Sequence, residues 1–325
     1  MTGVSEYKGK IYLTRDDSMR IETYLGPNFR RTQHITVLEK SRPSRLKMLL
    51  SRAMKPSEKQ NGLQDVTCDT RARLYTCEVN GPRIYCIGLN IKQIISSWQV
   101  DAGKPSALSV TKYGNLLVSC PSECKICEYT FTGDLVHKIS FGCNMDGPRH
   151  ALQFGSDLLV VCHGNADASE KSEGVSVIDI YGNISLGTKT MQLVNPCHLA
   201  VDSHQQVLIA DKARNVIILA NRTLDGRHRI LLMSENKLKA PTRVYLNDEK
   251  GLLLVGLQTG ALMIYCVKSP GSSHDDAAQT ESASFPIHEN TRLSDKCDDY
   301  DYLKVKHNTL YADCETEDDI YDEID

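Results

Sequence analysis

A short pattern of strands and turns occurs six times along the chain, and it leaves few folds open. Its clearest copy is Asn195–Leu219, NPCHLAVDSHQQVLIADKARNVIIL. His198–Val201, Val207–Ala210 and Val216–Leu219 are short apolar runs, and Ser203–Gln206 and Asp211–Asn215 are polar turns between them. Runs this short, rich in β-branched residues and bounded by turn residues, favour strands over helices. The pattern recurs as KIYLTRDDSMRIETYL, as LQDVTCDTRARLYTCEVNGPRIYCIGL and as PSALSVTKYGNLLVSCPSECKICEYTF. It recurs again as PRHALQFGSDLLVVCHG followed by GVSVIDIYG, and as PTRVYLNDEKGLLLVGLQTGALMIYCV. Each unit takes about 35–50 residues, the period of repeat architectures.

A sheet built from one unit cannot bury both of its faces. Six such sheets stacked radially can, and closing the ring leaves only short edges. The expected fold is therefore all-β, a six-bladed β-propeller spanning residues 1–268, with blades at 1–40, 63–100, 104–142, 147–190, 195–235 and 240–268. Weaker fourth strands are expected at Gln192–Val194 and His228–Met233. The last blade shows three evident strands, which leaves ring closure to N-terminal residues.

The fifth unit resembles the NHL repeat through Pro196, Asp202, Ala210, Asp211, Asn215 and Val216. The other units are degenerate: Cys120 and Cys124 stand where Asp211 and Asn215 stand. The resemblance implies a propeller like the C-terminal part of tripartite-motif/NHL proteins. RING and B-box cysteine/histidine arrays are not found here, so ubiquitin-ligase activity does not carry over.

Charge divides the chain. Residues 271–325 hold 16 Asp/Glu and 4 Lys/Arg, a net −12, which leaves +9 on residues 1–270. A basic body favours anionic partners. Residues 269–325 are acidic with few aliphatics and are expected to be a disordered tail. Within it Tyr300, Tyr302, Tyr311 and Tyr321 lie among acidic residues, in DDYDYLKV, TLYADCE and DDIYDEID. Tyr-Asp-Glu-Ile resembles the ligands of phosphotyrosine-reading domains, so these tyrosines are expected to offer phosphorylation-dependent docking sites. Residues 41–60 form a basic insert, with Leu46, Leu49, Leu50 and Met54 at helical spacing. Asn165–Glu173 reads as a polar loop.

The twelve cysteines are irregularly spaced, and several lie in apolar strand runs (Cys68, Cys77, Cys86, Cys162, Cys266), as small hydrophobes do. They read as free thiols of a reducing, cytoplasmic compartment. No apolar run approaches the roughly 20 residues of a membrane helix, so no membrane insertion is expected.

Cys120, Cys124 and Cys127 superficially fit an iron–sulfur spacing, but Cys124 and Cys127 are expected on one strand and facing opposite ways. His150 in PRHAL and His198 in PCHLA occupy matching inner-strand positions. A pair of histidines suggests a zinc lyase or lactonase site of the kind found in some propellers. Ala107, Arg243 and Asp65 stand at the corresponding positions elsewhere, so a third histidine is not supplied, and zinc usually takes at least three protein ligands. No cofactor, metal site or catalytic residue is assigned. The face carrying the inter-blade connections is expected to bind a partner through Arg15, Arg20, Arg83, Arg149, His150, His198, Lys212, Arg214, Lys239 and Arg243. A protein or peptide partner is expected, which makes the chain a non-catalytic scaffold. Single-stranded RNA is the alternative, with cations for phosphates, but stacking aromatics are scarce and Trp98 is the only tryptophan.

Overall fold

The computed structural model describes residues 1–25, 30–37, 62–101, 103–141, 147–164, 173–187, 192–268 and 304–307. They form six four-stranded antiparallel sheets, each a meander of strands in chain order. The inner strands are Gly3–Tyr7, Leu63–Cys68, Ala107–Val110, Pro148–Phe154, Pro196–Val201 and Pro241–Asn247. Each inner strand neighbours the next, and the sixth returns to the first, so the sheets close a ring. The architecture is a six-bladed β-propeller.

The burial pattern explains the sequence pattern. Second strands such as Leu116–Cys120 and Val207–Asp211 are buried at every residue, because both faces meet a neighbouring blade. They read as continuous apolar runs. Fourth strands stand at the rim: Gln93–Gln99 mixes exposed and partly buried residues, and His228–Leu232 alternates between them up to the buried Leu232. The core is divided into six clusters, one at each junction between blades. The fifth and sixth blades share Leu208, Ala210 and Leu219 with Leu253, Val255 and Tyr265. The ring closes where Met1, Val4, Ile11 and Leu13 pack on Leu254, Leu262 and Ile264.

The residues that gave the fifth unit its clarity hold the inter-blade connections. The fully buried Asp211 carboxylate accepts the N–H groups of Val194 (2.9 Å) and Asn195 (3.1 Å) from the preceding connection. Asn215 takes a left-handed conformation, φ +57°, and its Oδ1 accepts the N–H of Ala240 (2.6 Å) from the following one. One Asx residue on each side thus anchors the loops that join the blade to its neighbours.

Four expectations are corrected. The fourth strand of the fourth blade is Ile184–Gly187, not Gln192–Val194, because the third-to-fourth turn is tight and the later residues already cross to the fifth blade. Cys124 lies on the turn before the third strand, left-handed at φ +49°, where it takes the conformation of Asn215 rather than a strand position. Cys266 is exposed, since it sits on the third strand of the last blade facing outward. The N-terminal strand belongs to the first sheet, and the sixth sheet gains its fourth strand from Lys304–His307, inside the segment assigned to the tail. The insert 41–60, most of the loop 165–173 and the four tail tyrosines lie outside the described residues.

Leu253 is fully buried at the junction of the fifth and sixth blades, whereas Cys266 is exposed one strand away. Leu253→Ala is expected to lose about 2–5 kcal/mol of stability in urea unfolding. Cys266→Ser is expected to stay within about 0.5 kcal/mol of the parent in the same measurement.

Candidate functional site

The inner strands carry one equivalent position around the axis. Pairing register places Gly3, Asp65, Ala107, His150, His198 and Arg243 opposite the small residues Thr14, Cys77, Ser119, Cys162, Ala210 and Gly256 of the second strands. A register shift comes immediately before Asp65, His150, His198 and Arg243. A bulge of this kind re-aims the side chain that follows it. Prolines 148, 196 and 241 start three of these strands, where a missing N–H is tolerated.

The polar members of this ring bond across the blade junctions. Asp65 Oδ2 accepts the Leu108 N–H at 2.8 Å. His150 Nδ1 accepts the Leu199 N–H at 3.1 Å, and His198 Nδ1 accepts that of Val244 at 3.5 Å. Each link runs from one blade to the inner strand of the next. Arg243 spans the first blade to reach the second: its Nε meets Asp65 Oδ1 at 3.3 Å and its Nη2 donates to the Gln64 carbonyl at 3.2 Å. The first blade has Gly3 at this position, and a Cβ there would stand 2.5 Å from the Val66 nitrogen. A glycine is therefore required where the inner strand of the first blade meets that of the second.

His150 and His198 stack with ring centroids 3.7 Å apart and planes 16° from parallel. Burial, helped by the Arg243 charge, pushes the pKa of His150 down to about 3. Burial and then its neighbour His150 hold His198 well below the usual imidazole value. Both rings are neutral, and acceptance at Nδ1 assigns the remaining proton to Nε2. Burial raises the pKa of Asp65, an effect that Arg243 and the Leu108 and Val66 N–H groups partly offset. Parallel imidazoles whose Nδ1 lone pairs are already taken do not converge on one ion. Among the described residues no group of three or more His, Cys, Asp or Glu side chains has the placement to hold a metal.

Beyond the ring, toward the C-terminal ends of the inner strands, lies a cavity of about 400 Å³ reached by all six blades. Val66, Leu108, Leu152, Val201 and Leu246 line it, with the two histidines.

Of the ten side chains singled out in the sequence, Arg149, His150, His198 and Arg243 lie near the starts of inner strands, Arg15 ends a second strand, Arg20 and Arg83 lie at or near the start of third strands, Lys212 and Arg214 lie between a second and a third strand, and Lys239 lies between two blades. Their environments differ. His150, His198 and Arg243 are buried at the axis. Arg15 pairs with Glu22 (3.0 Å) and Arg149 with Glu173 (3.2 Å). Arg149 also donates to Asn195 Oδ1 (2.8 Å) and to the Pro196 carbonyl (3.0 Å), and Arg214 donates to the Gln192 carbonyl (2.8 Å). Arg20 and Lys239 are exposed, and Arg83 and Lys212 are half-buried. The sequence reading missed the Asp65–Arg243 ion pair, although the alignment had placed the two charges at equivalent positions.

Removing one partner of that buried pair strands the other. Arg243→Met is expected to cost about 3–5 kcal/mol, with much of it recovered in Asp65→Leu/Arg243→Met, as read by chemical unfolding. The histidines set a pH dependence. Their folded pKa values lie below the unfolded value of 6.5, so the unfolded chain binds more protons. Their contribution to stability is complete above pH 6.5 and is lost as pH falls below it, for His150 toward about 3. His150→Phe, which keeps a flat ring, is expected to flatten the slope of unfolding free energy against pH between those limits.

No protein-family model matches the chain, and no curated protein sequence matches it significantly. Its fold is similar to the WD40 β-propeller domain of Doa1, with a TM-score of 0.58 and 9% identity over 81% of this chain and 77% of that one. It is similar to Kuenenia stuttgartiensis hydrazine synthase, with a TM-score of 0.56 and 14% identity over 82% of this chain and 76% of that one. It is also similar to virginiamycin B lyase from Staphylococcus aureus, with a TM-score of 0.55 and 12% identity over 81% of this chain and 79% of that one. At such identities the likeness shows the propeller fold alone.

Proposed function

We propose that the chain is a non-catalytic interaction scaffold whose propeller binds a protein or peptide on the end that carries the inter-blade connections. One observation supports this reading most. Asp65, His150, His198 and Arg243, the groups from which an axial active site would draw, are each bonded across a blade junction. Their chemistry goes into holding the ring. The same end presents the exposed Arg20 and Lys239, with Lys212 partly accessible, which suits a partner with acidic character.

Membership of the NHL-repeat propellers is the finer form of this reading, and it rests on Pro196, Asp202, Ala210, Asp211 and Asn215. The tail tyrosines 300, 302, 311 and 321 would add docking sites for phosphotyrosine-reading domains. A cytoplasmic setting agrees with the nine described cysteines, all of them unpaired thiols. Single-stranded RNA is less well supported, because sequence-tolerant binding needs aromatic platforms beside the cations. Trp98 is instead on a rim strand, packed 6.1 Å from Tyr129.

Arg20→Glu/Lys212→Glu/Lys239→Glu in the full chain is expected to lower recovery of propeller partners several-fold in quantitative affinity purification, with an unchanged melting temperature. An unaltered partner set would remove this face from the reading, and a loss confined to RNA with steep salt dependence would favour the nucleic-acid alternative. For the tail, a Tyr321 phosphopeptide is expected to bind a phosphotyrosine-reading domain more tightly than its unphosphorylated form.

A further inference from the structure

The junction between the third and fourth blades is filled less completely than the one before it. Between the second and third blades, Arg73, Tyr75 and Trp98 occupy the end that carries the first-to-second and third-to-fourth turns. The Arg73 guanidinium lies 4.4 Å from the centre of the Phe131 ring and 5.9 Å from that of Tyr75, and its Nε donates to Asp69 Oδ2 at 2.5 Å. Trp98 packs on Tyr129 and closes on Gly133, where a Cβ would stand 2.7 Å from the indole. Pairing register identifies the residues in the same places one junction on. Asn115 stands for Arg73, Leu117 for Tyr75, Ile139 for Trp98 and Ile180 for Phe131. Two contacts repeat with them. The Ser96 hydroxyl donates to the Phe131 carbonyl at 2.8 Å, and His137 Nε2 meets the Ile180 carbonyl at 2.5 Å. A Cβ on Gly182 would stand 3.0 Å from Ile139, as one on Gly133 would meet Trp98.

The smaller side chains leave a notch of about 110 Å³ between the third and fourth blades, with Leu117, Ile126, Ile139, Leu159 and Ile180 in its walls. A drug-sized ligand takes about 300–1,000 Å³, so the notch suits a single side chain. Its surroundings are apolar and open to a partner. Tyr113 and Ile180, which line it, are 62% and 41% exposed, and the adjoining Tyr181 is 76% exposed. Its charge has one sign. Glu128 and Asp157 line the notch, and neither lysine nor arginine does among the described residues. Glu128 Oε1 accepts the Asn115 amide at 2.8 Å and Asp157 Oδ2 accepts the Ser156 hydroxyl at 3.0 Å, so both meet neutral donors. The adjoining Lys112 ammonium lies over the Tyr113 ring, 5.0 Å from its centre.

We infer that this notch receives an arginine side chain of a partner protein, with the guanidinium against Glu128 and the methylene stem against Leu117 and Ile180. The preceding junction holds the same arrangement within the chain: Arg73 stacks on Phe131, the counterpart of Ile180, and pairs with a carboxylate. Arginine suits the notch better than lysine, because its planar, weakly hydrated guanidinium packs on side-chain surfaces while its fork of donors meets a carboxylate. Tyr113 and Tyr181 beside the entrance supply the kind of contact that surrounds a buried anchor at an interface. First-to-second and third-to-fourth turns lie at the opposite end of the ring from the inter-blade connections, so this is a second surface, independent of the face proposed above.

The test uses the full chain with labelled isoleucine and leucine methyl groups, titrated with N-acetyl-arginine methylamide and followed by NMR. Saturable shifts are expected at Leu117, Ile139 and Ile180. N-acetyl-norleucine methylamide, which lacks the charge, is expected to bind about two- to fivefold more weakly, the worth of one partly exposed charge contact, with the lysine derivative between the two. Glu128→Gln keeps an acceptor for Asn115 and is expected to remove the preference for arginine. Asn115→Arg supplies a guanidinium from within the chain and is expected to abolish the shifts without lowering the melting temperature. Absence of saturable shifts overturns the proposal, as does equal binding of the lysine or norleucine derivative, or a preference for arginine that survives Glu128→Gln. Shifts of the same methyl groups that follow protein concentration without the probe would put a second copy in the notch and also overturn it. None of these readouts involves Arg20, Lys212 or Lys239, so this failure and that of the ring-end reading are separable.

Discussion

Each sheet has a second strand buried on both faces, and no sheet achieves that by itself. Leu208 and Leu219 need Leu253 and Val255 of the next blade, and Ile11 and Leu13 need Leu254 and Ile264 of the last. Apolar burial at about 25 cal/mol per Å² drives this stacking, and it is available only when neighbours are in place. The cooperative unit is therefore the junction rather than the blade. A ring makes every junction equivalent, including the one between the two ends of the repeat array.

The polar ring at the axis follows from the same constraint. Inner strands brought together by stacking leave backbone N–H groups of one blade facing side chains of another, in a region that water does not freely enter. Unpaired donors there are costly, so the side chains that survive are acceptors or charge partners. Asp65, His150 and His198 supply acceptors to Leu108, Leu199 and Val244. Arg243 then balances the one buried carboxylate. The price of that arrangement is chemical: a neutral imidazole with its Nδ1 engaged and a carboxylate held by an arginine are poor acid–base catalysts.

Much of this was legible in the sequence because the physics repeats. Continuous apolar second strands and turn residues at a regular period give six sheets, and the fifth unit was clear because Asp211 and Asn215 anchor loops on both sides. Matching PRHAL to PCHLA found the histidine pair before any coordinate did. The pairing of Asp65 with Arg243 was not legible, since it joins the second and sixth blades across an intervening glycine and depends on ring closure. Nor was the fate of Arg15 and Arg149, whose charges looked available but meet Glu22 and Glu173. Local pattern specifies strands, whereas the partner of a charge is set by which strands become neighbours. The fourth strand of the sixth blade was missed for a related reason. Lys304–His307 has no apolar alternation of its own and is a strand only because an edge awaits it.

The junction clusters on either side of the sixth blade draw on its first three strands, through Val244, Leu253, Val255, Met263 and Tyr265 on one side and Leu254, Leu262 and Ile264 on the other. The fourth strand pairs along the edge of the third, from Tyr265 with His307 to Lys268 with Lys304. A propeller built from equivalent junctions thus has one rim that differs from the others in chain connectivity, since its fourth strand comes from residues 304–307.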